Sequence, residues 1–290
     1  MPDSTCTVLV CTRDRPQMLE RLLTSMDALR GRVDVLVVDS ASTTARTREV
    51  VEAHGFGYLR LERPGLSVAR NAGVRAATTE LVAFTDDDCI VDAGWLGPLL
   101  APFADPRVGV VTGAMVDEPR PPLTGPPVVQ RRARRTVQGL DLGSGANMAF
   151  RRAAVLEVGG FDERLGAGTP LAGAEDLDMF CRLLHAGWSG VREPASAVVH
   201  AHVRLGRDHV DLIGGYARGS GAQLAKALRV APAVGAPMAL VTARRLALRL
   251  VRLPRLSRAE RAAALAHARG LVVGLLRGLA LPLDGGVFQP

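Results

Sequence analysis

Leu81-Val82-Ala83-Phe84-Thr85-Asp86-Asp87-Asp88 sets an apolar run against three consecutive carboxylates, and Ile90-Val91 resumes the hydrophobic character at once. The apolar part reads as a buried strand, because strands covered on both faces are near-continuous hydrophobic runs rather than alternations. Three carboxylates within one extended turn repel one another, and desolvating even one of them unpaired costs several kcal/mol. A divalent cation would remove that penalty. A solvated turn or a helix cap would also accommodate the acids, and the cluster alone does not choose.

The same logic extends outward along the first hundred residues. Thr7 to Cys11 predicts a first strand, Val33 to Val38 a second, Phe56 to Leu61 a third and Leu81 to Phe84 a fourth; Val108 to Thr112 predicts a fifth. Between them lie helical patterns: Pro16 to Leu29, with Leu19, Leu22, Leu23 and Met26 on one face, a segment through Val50-Val51, and Ser67 to Ala77. Short apolar strands separated by helices argue for an α/β fold with a mostly parallel sheet. Ligands of such sheets bind beyond the carboxyl ends of the strands. Here those ends read Thr12-Arg13-Asp14-Arg15, Asp39-Ser40-Ala41-Ser42 and the triple aspartate, and three polar ends on one edge make a pocket the better reading. Neither GxGxxG after the first strand nor GxxxxGK[ST] is present, so dinucleotide-binding and P-loop readings fall away.

At 290 residues, with 48% hydrophobic and 22% charged residues, the chain can bury a large core. Its formal net charge of +7 is uneven: residues 206–290 hold 13 Lys+Arg against 4 Asp+Glu, a balance of +9, which leaves −2 for residues 1–205. Of the 36 basic residues only Lys226 is lysine. Cys6, Cys11, Cys89 and Cys181 have no metal-ligand spacing and read as buried free thiols of a reducing compartment. The first residues carry no secretory pattern, and no uninterrupted apolar stretch reaches the ~20 residues of a bilayer span. The expectation is a cytoplasmic protein, with peripheral contact on the inner face of the membrane left open. Nucleic acid is not expected as a partner, since aromatics are 4% of the chain and no RNP, helix-turn-helix or zinc-finger pattern occurs.

Several motifs together resemble a family-2 glycosyltransferase with the GT-A fold. They are Val8 to Arg15, Leu36 to Ser42, Pro64 to Gly73, Phe84 to Asp88, Gly145 to Arg152, Gly159-Gly160-Phe161-Asp162-Glu163 and Ala174-Glu175-Asp176-Leu177-Asp178, in the family's order over roughly residues 5 to 205. The resemblance implies a GT-A domain over 1–205, with a nucleotide-sugar half over about 1–115 and an acceptor half with the catalytic base over about 140–205. Residues 206–290 would form a basic, amphipathic helical extension.

The resemblance also implies roles. Asp86 and Asp88 match the two acids of the DxD motif and, with His200, would hold Mn²⁺ or Mg²⁺; Asp88 is the first choice as direct ligand and Asp87 is left open. Thr12, Arg15, Asp39, Arg70, Asn71 and Asp86 would bind the nucleoside-diphosphate sugar. Asp176 matches the catalytic base of an inverting transferase and Glu175 a partner that orients the acceptor, while Asp178 reads as a surface or bracing residue. Without the motif, Glu175 and Asp176 would read as acids stabilised by a helix dipole. No QxxRW motif follows, so transfer of one sugar to a glycan, lipid-linked or small-molecule hydroxyl is expected rather than polymerisation. The alternative is a non-catalytic module that binds nucleotide sugar or glycan.

Four further features stay open. The Pro-rich segment from Glu118 to Pro127 reads as a lid or acceptor loop, and Arg131 to Arg135 as a solvated helix face or a phosphate contact. Trp95 and Trp188 suit sugar stacking or core packing equally. His202 shares a side of an extended segment with His200. From Val241 to Leu253, Leu246, Leu250 and Leu253 recur beside Arg245, Arg249 and Arg252, and Leu271 to Leu281 is more apolar. Such helices suit an anionic membrane, their own domain or a homodimer.

Overall fold

The computed structural model describes residues 5–117, 129–201 and 206–289; the Glu118 to Pro127 segment and His202 lie outside them. The chain divides into two compact units, one of residues 1–160 and 180–203, the other of residues 161–179 and 204–290.

The first unit is built on one sheet. Strands β1 (Cys6–Thr12), β2 (Asp34–Asp39), β3 (Gly57–Arg60) and β4 (Leu81–Asp86) alternate with α1 (Pro16–Ser25), α2 (Arg46–His54) and α3 (Leu66–Ala76). Then follow β5 (Cys89–Ile90), α4 (Leu96–Leu100), β6 (Val108–Asp117), β7 (Arg131–Ala133), β8 (Asn147–Arg151), α5 (Arg152–Glu157), α6 (Glu175–His185), of which residues 180–185 belong to this unit, and β9 (Ser189–His200). The spatial order is β3-β2-β1-β4-β8-β6-β9-β5, with β7 on β9. The four N-terminal strands are parallel to one another; β8 runs antiparallel to both β4 and β6. The expected α/β architecture is borne out, with a mixed second half.

Local chemistry explains the elements. Pro16 opens α1, where its missing N–H costs nothing, and Leu19, Leu22 and Leu23 are fully buried under the sheet. Burying three leucines stabilises by roughly 4–9 kcal/mol as an upper figure. The helical turn tightens to 3₁₀ over Met26–Leu29, yet Met26 keeps its place in the core. Gly55, at φ 67°, ends α2 in the left-handed conformation that glycine adopts without a Cβ clash.

Four strands of this sheet, β5, β7, β8 and β9, lie outside the five expected ones. The Arg131–Arg135 run is not a helix face: its first three residues are β7, antiparallel to β9, with Ala133 buried and Arg132 bonded to Asp105 at 2.8 Å. β8 begins at Asn147, a buried amide that accepts from the Trp95 indole N–H at 2.9 Å and donates to the Ala114 carbonyl at 2.9 Å. Trp95 is thus a core residue of this unit, one per cent exposed.

In the second unit, α7 (Gly206–Val230), α8 (Pro232–Val251) and α9 (Arg258–Ala280) join the 161–179 segment and a short hairpin over 283–288. α7 and α9 approach backbone to backbone. A Cβ on Gly274 would stand 1.9 Å from the Arg218 carbonyl oxygen, and one on Gly221 2.1 Å from that of Leu271. Leu165, Leu171, Ala222 and Phe288 form a small core there.

Candidate active site

The parallel strands carry the expected polar groups to one edge. Thr12 lies opposite Asp39 in the β1–β2 register, and Cys11 opposite Asp86 in the β1–β4 register, so the carboxyl ends of β1, β2 and β4 meet. The loops after β1 and β2 interlock. Asp14 accepts from the Thr43 N–H at 2.6 Å and the Thr43 hydroxyl at 2.8 Å, while the Asp14 N–H donates to the Ser42 hydroxyl at 3.0 Å. Asp14 and Ala41 both hold positive φ, 55° and 60°. Strain of this kind, about 1–3 kcal/mol each, persists where surrounding bonds over-determine the backbone.

Asp39 is fully buried and accepts from Tyr58 Oη at 2.6 Å, the Ser42 N–H at 2.7 Å and Arg60 Nη1 at 3.4 Å. The surrounding donors keep a buried carboxylate oriented at the strand end. Tyr58 and Arg60, both from β3, were not singled out by sequence reasoning, because one residue of each type in a short strand carries no signal.

The three consecutive aspartates diverge. Asp86 faces Arg70 at 3.5 Å; Arg70 is two per cent exposed, lies over the Phe84 ring and donates to the Gly145 carbonyl. Asp87 accepts from Thr12 Oγ1 at 2.7 Å and from Arg15 Nη1 at 3.0 Å. Burial pushes its pKa up to about 6, against the lowering effect of Arg15 and Thr12. Asp88 receives Arg15 at 3.3 Å on one oxygen and stands 3.5 Å from His200 Nε2 on the other. Burial would raise the Asp88 carboxyl, but the His200 hydrogen bond and charge, with Arg15, hold it below the ordinary value. His200 arrives there because β9 pairs with β5, placing it opposite Cys89, and the Ala201 N–H donates to the Asp88 carbonyl at 2.8 Å. Asn71 is buried on α3 against Gly160, where a Cβ would come within 2.7 Å of its side-chain oxygen.

Of the expected metal ligands, the fold brings Asp88 and His200 together and sets Asp86 against Arg70. Hard carboxylate oxygens with one imidazole are a suitable donor pair for Mn²⁺ or Mg²⁺. Among the described residues no three His, Cys, Asp or Glu side chains already form a metal cluster. The thiols of Cys11 and Cys89 are pushed up to about 12 by burial, which removes them as nucleophiles or ligands near neutral pH.

Glu175 and Asp176 belong to the second unit, at the start of α6. Glu175 is buried, and Asp176 Oδ1 accepts from the Leu177 N–H at 2.7 Å. The chain enters this turn through Ala172 and Ala174, both at positive φ, 61° and 66°. α7 pins them: a Cβ on Gly219 would lie 2.2 Å from the Gly173 carbonyl oxygen, and a Cβ on Gly173 would meet the Tyr216 Cα at 3.1 Å. Asp178 is buried rather than at the surface. It pairs with Lys226 at 2.6 Å, and Lys226 reaches Asp162 at the same distance. Asp162 also accepts the Phe288 N–H at 2.9 Å, which ties the C-terminal hairpin to the same cluster.

Comparison with known proteins agrees with this architecture. The model of glycosyl transferase family 2 matches residues 7–159. The pre-mycofactocin glycosyltransferase of Mycobacterium tuberculosis is 34% identical over 224 residues, which are 70% of this chain and 44% of that protein; the chain thus spans under half the length of that relative. An uncharacterized glycosyltransferase of the same organism is 34% identical over 192 residues, 64% of this chain and 81% of its own length. Among solved structures, the mannosyltransferase PcManGT from Pyrobaculum calidifontis, in complex with GDP-Man and Mn²⁺, superposes with a TM-score of 0.64 at 23% identity, covering 95% of this chain and 87% of its own. S. aureus TarS 1-349 in complex with UDP-GlcNAc gives 0.55 at 20% identity, covering 76% and 66%. By its sequence, over more than half of its length, and by its GT-A sheet, the chain belongs to glycosyl transferase family 2.

Proposed function

We propose that the chain transfers one sugar from a nucleoside-diphosphate sugar to a hydroxyl acceptor with inversion. The observation that carries this reading is the convergence of Thr12, Asp39 and Asp86–Asp88 at the carboxyl ends of three parallel strands. Asp39, held by Tyr58 and Arg60, accepts hydrogen bonds from the base or ribose. Arg15, Arg70 and Asn71 supply the donors around the diphosphate. A divalent cation, held by Asp88 and His200, would offset the negative charge that develops on the departing diphosphate.

In the transfer, the acceptor oxygen forms a bond to the anomeric carbon as the bond from that carbon to the diphosphate oxygen breaks. The diphosphate leaves with the electron pair, and the acceptor proton passes to Asp176. Glu175 orients the acceptor. General-base catalysis of this type contributes about 10²–10⁴-fold.

The test has two stages. Thermal-shift titration with UDP, GDP, dTDP and CDP sugars, with Mn²⁺ or Mg²⁺, identifies the donor; Asp176→Asn is then compared with the parent protein on an acceptor panel. Transfer should fall by about 10²-fold or more while the donor-induced shift is retained. Loss of donor binding together with transfer, in a variant that melts like the parent, would count against the base role. Donor binding without turnover on glycan, lipid-linked and small-molecule acceptors would favour a binding module.

A further inference from the structure

The C-terminal helices expose apolar side chains that their own unit does not cover. On α9, Leu265, Val272, Leu276 and Leu279 are each at least half exposed. Their spacing of seven, four and three residues keeps them on one stripe. The opposite side of the same helix is the glycine row Gly270, Gly274 and Gly278, seated on the backbone of α7. On α8, Leu240 and Val251 are about three-quarters exposed and Leu248 about half, on one stripe with Arg244 between them (72%, 75% and 47%).

Charge accompanies the apolar surface. Arg244, Arg245, Arg249, Arg252, Arg255, Arg258 and Arg261 are all exposed, and Glu260 is the only acid between Val241 and Arg261. Exposed aliphatic side chains interleaved with arginine are the pattern of a helix lying in the headgroup region of a bilayer. We propose that α8 and α9 dock this protein onto an anionic lipid bilayer, with the leucine and valine stripes in the acyl boundary and the arginines on lipid phosphates.

Two other occupants fit less well. A two-fold contact between copies would set the seven arginines of α8, the link after it and the first turn of α9 against the same seven, a like-charge arrangement. A single-stranded nucleic acid would gain phosphate contacts but no stacking, because no Phe, Tyr or Trp occurs from Val241 to Ala280.

The mode is surface-lying. α9 has the length and composition to cross a membrane. Its glycine row is nevertheless bound to α7, and α7 carries Lys226, buried against Asp162 and Asp178. Sinking α9 into hydrocarbon would draw that ionic cluster towards the same medium or part the two helices.

Flotation of the full chain decides the matter without any donor or acceptor. Vesicles of phosphatidylcholine alone are compared with vesicles containing one-third phosphatidylglycerol, at low salt and at 0.5 M NaCl. The expected result is at least tenfold stronger binding to the anionic vesicles, weakened by salt. Leu248→Ser with Val251→Ser, and separately Arg249→Gln with Arg252→Gln, should each reduce binding at least fivefold while leaving the melting temperature unchanged, since all four side chains are exposed. No flotation, equal binding to neutral and anionic vesicles, or variants that float like the parent would overturn the proposal. So would a lipid-free dimer that the Leu248→Ser, Val251→Ser variant dissociates.

Discussion

Replacing Lys226 by methionine tests how the second unit is held together. The ammonium is 2.6 Å from both Asp162 and Asp178, whose side chains are zero and two per cent exposed, and it lies 5.1 Å from the centre of the Phe288 ring. Methionine keeps most of the stem packing but leaves two buried carboxylates without their shared cation. Breaking a buried pair in this way costs about 3–5 kcal/mol. At about 2–4 °C per kcal/mol for a protein of this size class, the melting temperature should drop by roughly 6–20 °C. Urea denaturation followed by circular dichroism gives the free energy directly. The triple variant Lys226→Met, Asp162→Asn, Asp178→Asn removes all three charges and should recover more than half of the loss, because neutral groups of similar shape need no counter-ion. Lys226→Arg should not rescue, since a planar guanidinium does not fit where a compact ammonium meets two carboxylates at 2.6 Å. A loss under about 1 kcal/mol in the single variant, or no recovery in the triple one, would refute the reasoning.

Two further outcomes follow from the geometry. The pKa of Asp87 is raised to about 6, so the folded state binds its proton more tightly than the unfolded chain does; the resulting stability is full below about pH 4 and is lost as pH rises through 6. Between pH 4 and pH 6.5 the parent protein should therefore lose about 1–3 kcal/mol relative to Asp87→Asn, measured by denaturation at each pH. Gly274→Ala should destabilise by about 1–3 kcal/mol or more, because its Cβ meets the Arg218 backbone at 1.9 Å, whereas Gly97→Ala, with no atom within 4 Å, should be neutral or slightly stabilising.

The parallel half of the sheet was legible in the sequence because strands covered on both faces leave continuous apolar runs, as in β1, β2 and β4, while the edge strand β3 is shorter and only partly buried. The mixed half was legible only at β6, through the run Val108 to Thr112. β5 has two residues and β7 three, too few to show a period, and β8 opens with Asn147, whose burial depends on partners 33 to 52 residues away. The polar strand ends were legible as a group, since topology alone brings Thr12, Asp39 and Asp86 to one edge. Their pairings were not: Arg15 with Asp87, or Tyr58 with Asp39, is fixed by side-chain reach across strands. The positive φ of Ala172 and Ala174 had no sequence signal at all, because alanine is an unexpected residue there. Lys226 was visible only as the single lysine among 36 basic residues, and its two carboxylate partners supply the physical reason for a compact ammonium at that position.

The triple aspartate first suggested a cation because three adjacent carboxylates repel. In the fold that demand is met by protein groups: the Arg70 guanidinium stands at Asp86, that of Arg15 at Asp87 and Asp88, and the His200 imidazole lies at the second oxygen of Asp88. Self-repulsion is therefore not the reason a divalent ion would bind, and the proposed role rests on the diphosphate charge. The two accounts separate under chelation. If metal were needed to hold the aspartates together, EDTA would lower the melting temperature of the donor-free protein by several degrees. If arginine already does so, EDTA should change it by less than about 2 °C, since an ion present at its own dissociation constant adds only about 0.4 kcal/mol. The same treatment should abolish the stabilisation given by a nucleoside-diphosphate sugar, because the site then meets two phosphate charges with no ion to share. A large loss without donor, or an undiminished donor shift in EDTA, would return the cluster to its first, purely electrostatic reading or remove the metal from donor binding altogether.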